Sequence, residues 1–173
     1  MKIFGMVGRS GSGKTTLMVE LLPELIGRGL RISTMKHTHH GFDVDKPGKD
    51  SHQHRVAGAT EVLVTSPDRW ALMHEIRDQP EPDMDQLIGH MTPVDLLLIE
   101  GFKRHGHPKM EVHRPSTGSA ILCRRDDGIV AVASDEPLAD VPVPVLDLNR
   151  IPAIADFILE HCGLKTDIDD ERA

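Results

Sequence analysis

The densest chemical signal in the 173-residue chain lies near its start, in Gly8-Arg9-Ser10-Gly11-Ser12-Gly13-Lys14-Thr15-Thr16. Glycines let the main chain bend so that successive N–H groups point inward, a concavity that suits phosphate oxygens. Lys14 adds a mobile cation that can reach the β and γ phosphates. Thr15 adds a hydroxyl of the kind that ligates Mg²⁺, and Thr16 a further contact at the α-phosphate. The spacing G-x-x-x-x-G-K-[ST] is matched at every position. Gly8, Arg9, Ser10, Gly11, Ser12, Gly13, Lys14, Thr15 and Thr16 are therefore expected to bind the phosphates of ATP or GTP with Mg²⁺.

Mg²⁺ in such a site needs help from an acid at the end of a neighbouring strand. Two acids, Asp95 and Glu100, bracket the most apolar run in the chain, residues 94–99. Ligands of parallel sheets lie outside the carboxyl ends of the strands. Glu100 is thus expected to join Thr15 at the metal and Lys14 in catalysis, whereas Asp95 starts the strand at the far end. Arg9 has two readings: a trans-acting finger that stabilises charge on the transferring phosphoryl group, or a solvent-facing loop residue.

Eleven histidines are present, and His37, His39, His40, His52 and His54 fall close together. With Asp43 and Asp50 they could ligate Zn²⁺ or Ni²⁺, donate hydrogen bonds to an anionic ligand, or stand in solvent; no specific zinc spacing is matched. Asp43, Asp45, Lys49 and Asp50 follow the second expected strand and are candidates for Mg²⁺, an attacking water or a second ligand. Lys103, Arg104, His105 and His107 follow Glu100 and could face the same cavity.

These residues need a scaffold. The short apolar run 2–7 reads as a buried strand, and Leu17, Leu21 and Leu25 recur at helical spacing over residues 13–27, with Met18, Leu22 and Ile26 beside them. Pro23 inside that stripe predicts a kink or an early helix end. Residues 31–36 read as a second strand, so the chain opens strand, loop, helix, strand, which implies a right-handed crossover and a parallel sheet covered by helices. Further on, 51–59 reads as a short helix, 61–65 and 69–76 as a hairpin, and 84–90 as a second short helix. Strands are expected at 94–99, 109–113, 129–133 and 143–148, and a last amphipathic helix at 151–161, stopped by Gly163. The expected fold is α/β: three layers, a mainly parallel sheet flanked by helices, with some antiparallel edge strands. One domain over residues 1–163 and a frayed acidic tail over 164–173 complete the organisation.

Composition narrows the partners. A net charge of −7, four Phe, one Trp and no Tyr argue against a nucleic-acid binder, which needs a basic footprint or stacking aromatics. No window is apolar for long enough to span a bilayer and the start does not resemble a signal peptide, so no membrane role and a cytoplasmic setting are expected. Cys123 and Cys162 form no C-x-x-C pair and read as reduced, partly buried thiols.

Taken with the glycine loop, Lys36-His37-Thr38-His39-His40, the stretch Phe42-Asp43-Val44-Asp45-Lys46-Pro47-Gly48-Lys49-Asp50-Ser51, the motif Ile99-Glu100-Gly101-Phe102-Lys103 and Ala133-Ser134-Asp135-Glu136-Pro137 carry a resemblance. From Met1 to about Gly163 the chain resembles the molybdopterin-guanine dinucleotide biosynthesis protein B family of P-loop nucleotidases. The resemblance implies a GTP-binding homodimer with weak GTPase activity. It also implies an adaptor working beside the molybdenum cofactor guanylyltransferase, the enzyme that joins GMP to molybdopterin, with a molybdopterin-type ligand nearby. Guanine rests on the resemblance, because the usual Asn-Lys-x-Asp motif is not present. Asp135, after the strand 129–133, could accept hydrogen bonds from the guanine N1–H and amino group, and Asp147 is its rival. A pterin kinase and a metal-insertion chaperone GTPase using His37, His39 and His40 remain as alternatives.

Overall fold

The computed structural model describes residues 1–38, 41–102 and 105–165. His39, His40, Lys103, Arg104 and most of the acidic tail lie outside the described residues. In chain order the elements are β1 (Lys2–Val7), α1 (Lys14–Gly27), β2 (Ile32–Lys36), α2 (Asp50–Val56), β3 (Glu61–Thr65) and β4 (Trp70–His74). They continue with α3 (Met84–Gly89), β5 (Leu96–Glu100), β6 (Lys109–His113), β7 (Ile129–Ser134), β8 (Val145–Asp147) and α4 (Ile151–Cys162). The chain divides into two compact units, one built from residues 1–37 and 91 onward, the other from Thr38–His90.

The first unit holds a six-stranded sheet in the order β2-β5-β1-β6-β7-β8, and every neighbouring pair is parallel. β5 is wholly apolar until its last residue, and Leu96, Leu97, Leu98 and Ile99 have no exposed surface. Such a strand is stable only with both faces and both edges covered, which is its position between β2 and β1. On one face Phe4, Met6, Leu96, Leu98, Met110 and Val112 meet Leu17, Leu21 and Leu25 of α1 and Ile154, Ala155 and Ile158 of α4. Each fully buried Leu or Ile there contributes about 1.5–3 kcal/mol by leaving water. On the other face Val7, Cys123, Ile129 and Val132 form a smaller cluster under Ile121, Leu138 and Val143.

α1 corrects one expectation: it does not end at Pro23 but runs on to Gly27. Pro23 removes the hydrogen bond to the Val19 carbonyl. Pro23 is exposed and Val19 is 63 % exposed, so water can satisfy the freed oxygen. Arg28, just past the helix, ties α1 to α4 by bonding Glu24 (Nη2 to Oε1, 2.7 Å) and Asp156. Gly163 ends α4 in the left-handed conformation at φ 62°.

The second unit carries the antiparallel pairing as its own two-stranded sheet, with Thr65 opposite Trp70 and Glu61 opposite His74. α3 begins with a reciprocal cap: the Asp83 carboxylate accepts from the Gln86 N–H at 2.8 Å, and the Gln86 side chain accepts from the Asp83 N–H at 2.9 Å. No helix among the described residues is long and apolar enough to cross a membrane.

Candidate functional site

β1 delivers the chain into the glycine segment at the carboxyl end of the sheet, and α1 leaves it. Gly8 is buried at φ +153°, and a Cβ there would fall 2.4 Å from the Val112 carbonyl oxygen of β6 and 2.7 Å from Ser12 Oγ. Only glycine lets the main chain turn this close to its neighbour strand. Gly13 caps α1 in a left-handed conformation at φ 95°, so the first amides of the helix open toward the bend. Lys14 folds back over the loop and donates to the Arg9 carbonyl at 2.9 Å, where its ammonium stands across the concavity. Ser12 is 2 % exposed, and its hydroxyl has no hydrogen-bond partner among the described residues. Arg9, Ser10, Thr15 and Thr16 are exposed.

Glu100 arrives from β5. Because β5 lies between β1 and β2, with Met6 and Lys36 as its register partners, its last side chain emerges beside the loop. The Thr15 hydroxyl donates to the Glu100 carboxylate at 3.1 and 3.3 Å. Lys36 Nζ stands 3.3 Å from Glu100 Oε2. A hydroxyl and a carboxylate in contact at the mouth of a loop of amides form a hard-oxygen donor set suited to Mg²⁺. Asp95 lies at the opposite end of the same strand. It accepts from the Arg31 N–H at 2.8 Å and from the Arg31 guanidinium at 3.2 Å, and these bonds hold its carboxyl below the usual carboxylate range.

Two cationic residues at this end escaped the sequence reading. Lys36 ends β2 and meets Glu100 only because β2 and β5 are neighbours. Arg114 directly follows β6, and its guanidinium Nε lies 3.4 Å from where a Cβ on Gly13 would stand. The same guanidinium is paired with Asp135 at the end of β7. Asp135 keeps its other oxygen, Oδ1, buried and without a hydrogen-bond partner among the described residues. Asp135 and Asp147 line one cavity of ≈ 450 Å³ at the carboxyl ends of β7 and β8, together with Ser134, Leu138, Leu146 and Asn149. Asp147 Oδ1 is already engaged by the Asn149 N–H and side-chain amide at 2.9 and 3.1 Å.

The polar stretch after β2 belongs to the second unit from Thr38 onward. There Asp43 and Asp45 are gathered by Arg55, at 2.7 and 2.8 Å, and Glu75 joins at 3.3 Å. The Asp45 carboxylate is almost fully covered, at 6 % exposure, and its bond to Arg55 heads the causes that raise the arginine's pKa. These two acids therefore brace the 41–50 segment against α2. Lys49 precedes α2 and Asp50 begins it, both exposed. The His37 ring lies against Phe102 with centroids 4.6 Å apart and planes tilted by 46°, and Phe102 meets His105 edge-on at 5.0 Å. His39, His40 and Lys103 lie outside the described residues, and among the described residues no group of three His, Cys, Asp or Glu is arranged to hold a metal.

Residues 3–135 match the family model for molybdopterin guanine dinucleotide synthesis protein B. The chain is 45 % identical over 157 residues to a molybdopterin-guanine dinucleotide biosynthesis adapter protein of Escherichia coli (strain K12), covering 87 % of each chain. A protein of the same name from Haemophilus influenzae is also 45 % identical, over 159 residues, covering 90 % of this chain and 86 % of the relative. Among solved structures, a molybdopterin-guanine biosynthesis protein B superposes with a TM-score of 0.72 at 28 % identity, over 92 % of this chain and 99 % of that one.

Proposed function

The chain belongs to the molybdopterin guanine dinucleotide synthesis protein B family, and from that membership we propose that it is a GTP-binding adaptor in molybdenum cofactor maturation. In this reading it works as a homodimer beside the molybdenum cofactor guanylyltransferase, close to a molybdopterin-type ligand, and hydrolyses GTP slowly. The observation that carries the nucleotide part is the contact between the Thr15 hydroxyl and the Glu100 carboxylate at the mouth of the glycine loop.

The residues present fit a triphosphate and Mg²⁺. Gly8 lets the loop's main chain pass close against Val112 where any side chain would clash, and the buried Ser12 hydroxyl has no partner among the described residues. Thr15 and Glu100 are the groups proposed to hold Mg²⁺, which when bound would neutralise charge on the β and γ phosphates. Lys14 would exchange the Arg9 carbonyl for phosphate oxygens, and Lys36, 3.3 Å from Glu100, would help to orient its carboxylate. Arg9 stays exposed on the loop, where it can reach outward to a second subunit.

The cavity lined by Asp135 and Asp147 has the volume for a nucleobase. The orphaned Asp135 Oδ1 supports this residue as the acceptor for a guanine N–H, and the engagement of Asp147 with Asn149 ranks it second. The exposed apolar side chains of the hairpin, Leu63, Trp70 and Leu72, support self-association. The adaptor role is tested by co-purifying the chain with the guanylyltransferase with and without GTP. Retention that depends on GTP is expected; no retention in either condition would remove the adaptor reading.

A further inference from the structure

We propose that Arg114 is a phosphate-contacting residue, placed between the glycine loop and the cavity at the ends of β7 and β8. The inference rests on the nucleotide reading above and adds to it a residue outside the loop motif.

Four observations converge on this side chain. Its guanidinium lies against Gly13, with Nε and Nη2 at 3.4 and 3.5 Å from an added Cβ, where the first amides of α1 open. Nη1 is held by Asp135 Oδ2, so the planar group is fixed rather than free to sweep through solvent. The side chain retains 34 % exposure, enough surface for an incoming anion to meet it. Asp135 in turn lines the ≈ 450 Å³ cavity and presents a buried oxygen with no partner among the described residues.

A ligand with its base in that cavity and its terminal phosphates in the loop must pass Arg114 at its sugar and inner phosphates. Asp135 uses one oxygen to aim the arginine and keeps the other for the ligand. The pair thus orients a fork of donors suited to phosphate oxygens. Because the contact falls on inner phosphates, GDP and GTP share it.

The test titrates mant-GDP and mant-GTP, with Mg²⁺, into the wild-type chain and its Arg114→Ala and Arg114→Lys variants at several salt concentrations, with thermal melts alongside. Arg114→Ala is expected to weaken both nucleotides by about tenfold to a hundredfold and to flatten the salt dependence of binding. Arg114→Lys keeps the charge without the fork, and an intermediate loss is expected; it also carries the test if Arg114→Ala does not fold. Wild-type affinity in either folded variant overturns the assignment of Arg114 alone. So does a loss in Arg114→Ala with unchanged salt dependence, which marks a purely structural role. No binding by the wild-type chain would overturn the nucleotide reading and this inference together.

Discussion

Thr15 and Glu100, 85 residues apart in the chain, meet at the carboxyl end of the sheet, with the threonine hydroxyl 3.1 Å from one carboxylate oxygen and 3.3 Å from the other. The contact exists because β1 and β5 are parallel neighbours in a register that sets Glu100 beside Met6, one residue before β1 gives way to the loop. If these oxygens hold Mg²⁺, Glu100→Gln should weaken Mg²⁺-dependent nucleotide binding by about tenfold while leaving binding in EDTA unchanged. Fluorescent-nucleotide titration with and without Mg²⁺ checks this. Equal affinity of variant and wild type in Mg²⁺ would dissociate Glu100 from the metal.

Gly8 and Gly11 separate space from backbone strain within one loop. A methyl on Gly8 would strike the Val112 carbonyl, whereas one on Gly11, at φ +77°, meets nothing within 4 Å. Gly8→Ala should therefore destabilise the fold by about 2–4 kcal/mol. Gly11→Ala should cost only about 1–2 kcal/mol, the strain of a left-handed non-glycine residue. Urea denaturation of the two variants gives the comparison.

His107 introduces a dependence on pH. It is 8 % exposed with neither ring nitrogen bonded among the described residues, and its ring fills the space that a side chain on Gly5 would need. Burial first, then Lys109 and His105 nearby, push its pKa down from 6.5 to about 4, against a smaller opposing pull from Asp126. Below pH 6.5 the unfolded chain binds a proton that the folded chain refuses. Stability attributable to this residue therefore falls as pH drops toward 4 and changes no further beneath that. Between pH 7 and pH 5 the loss should be about 2 kcal/mol relative to His107→Gln. Parallel pH series of urea melts provide the readout.

In the second unit, Arg55 is paired with Asp43, Asp45 and Glu75 at once. Arg55→Ala would leave the covered Asp45 carboxylate without its cation, so residues 41–50 should detach from α2. Limited proteolysis should then cut this segment faster than in the wild type. Arg55→Ala with wild-type resistance would mean that the braces are held by other contacts.

Much of this was legible beforehand for local reasons. The glycine loop, the apolar run before it and the leucine stripe after it each declare themselves within a few residues, and β1 matches its expected bounds of 2–7. Glu100 could be preferred over Asp95 because strand direction alone decides which end faces the loop. Lys36 and Arg114 were not legible in the same way. Each owes its place to strand order, β2 beside β5 and β6 beside β1, which no local pattern encodes. Asp43 and Asp45 read as candidate ligands because Arg55, twelve and ten residues on, pairs with them from within the next helix, a contact no local spacing shows. Pro23 does not end the helix early because its cost depends on whether the freed carbonyl meets water, a property of the packed helix.

The central claim is that the loop from Gly8 to Thr16 grips a nucleoside triphosphate, and calorimetric titration of Mg·GTP into the wild-type chain beside Lys14→Ala tests it most directly. One site per chain is predicted for the wild type. The variant should be weakened by about tenfold to a hundredfold, the worth of one charge-assisted contact, with its melting temperature preserved. Absence of binding by the wild type, or equal binding by both chains, would contradict the account.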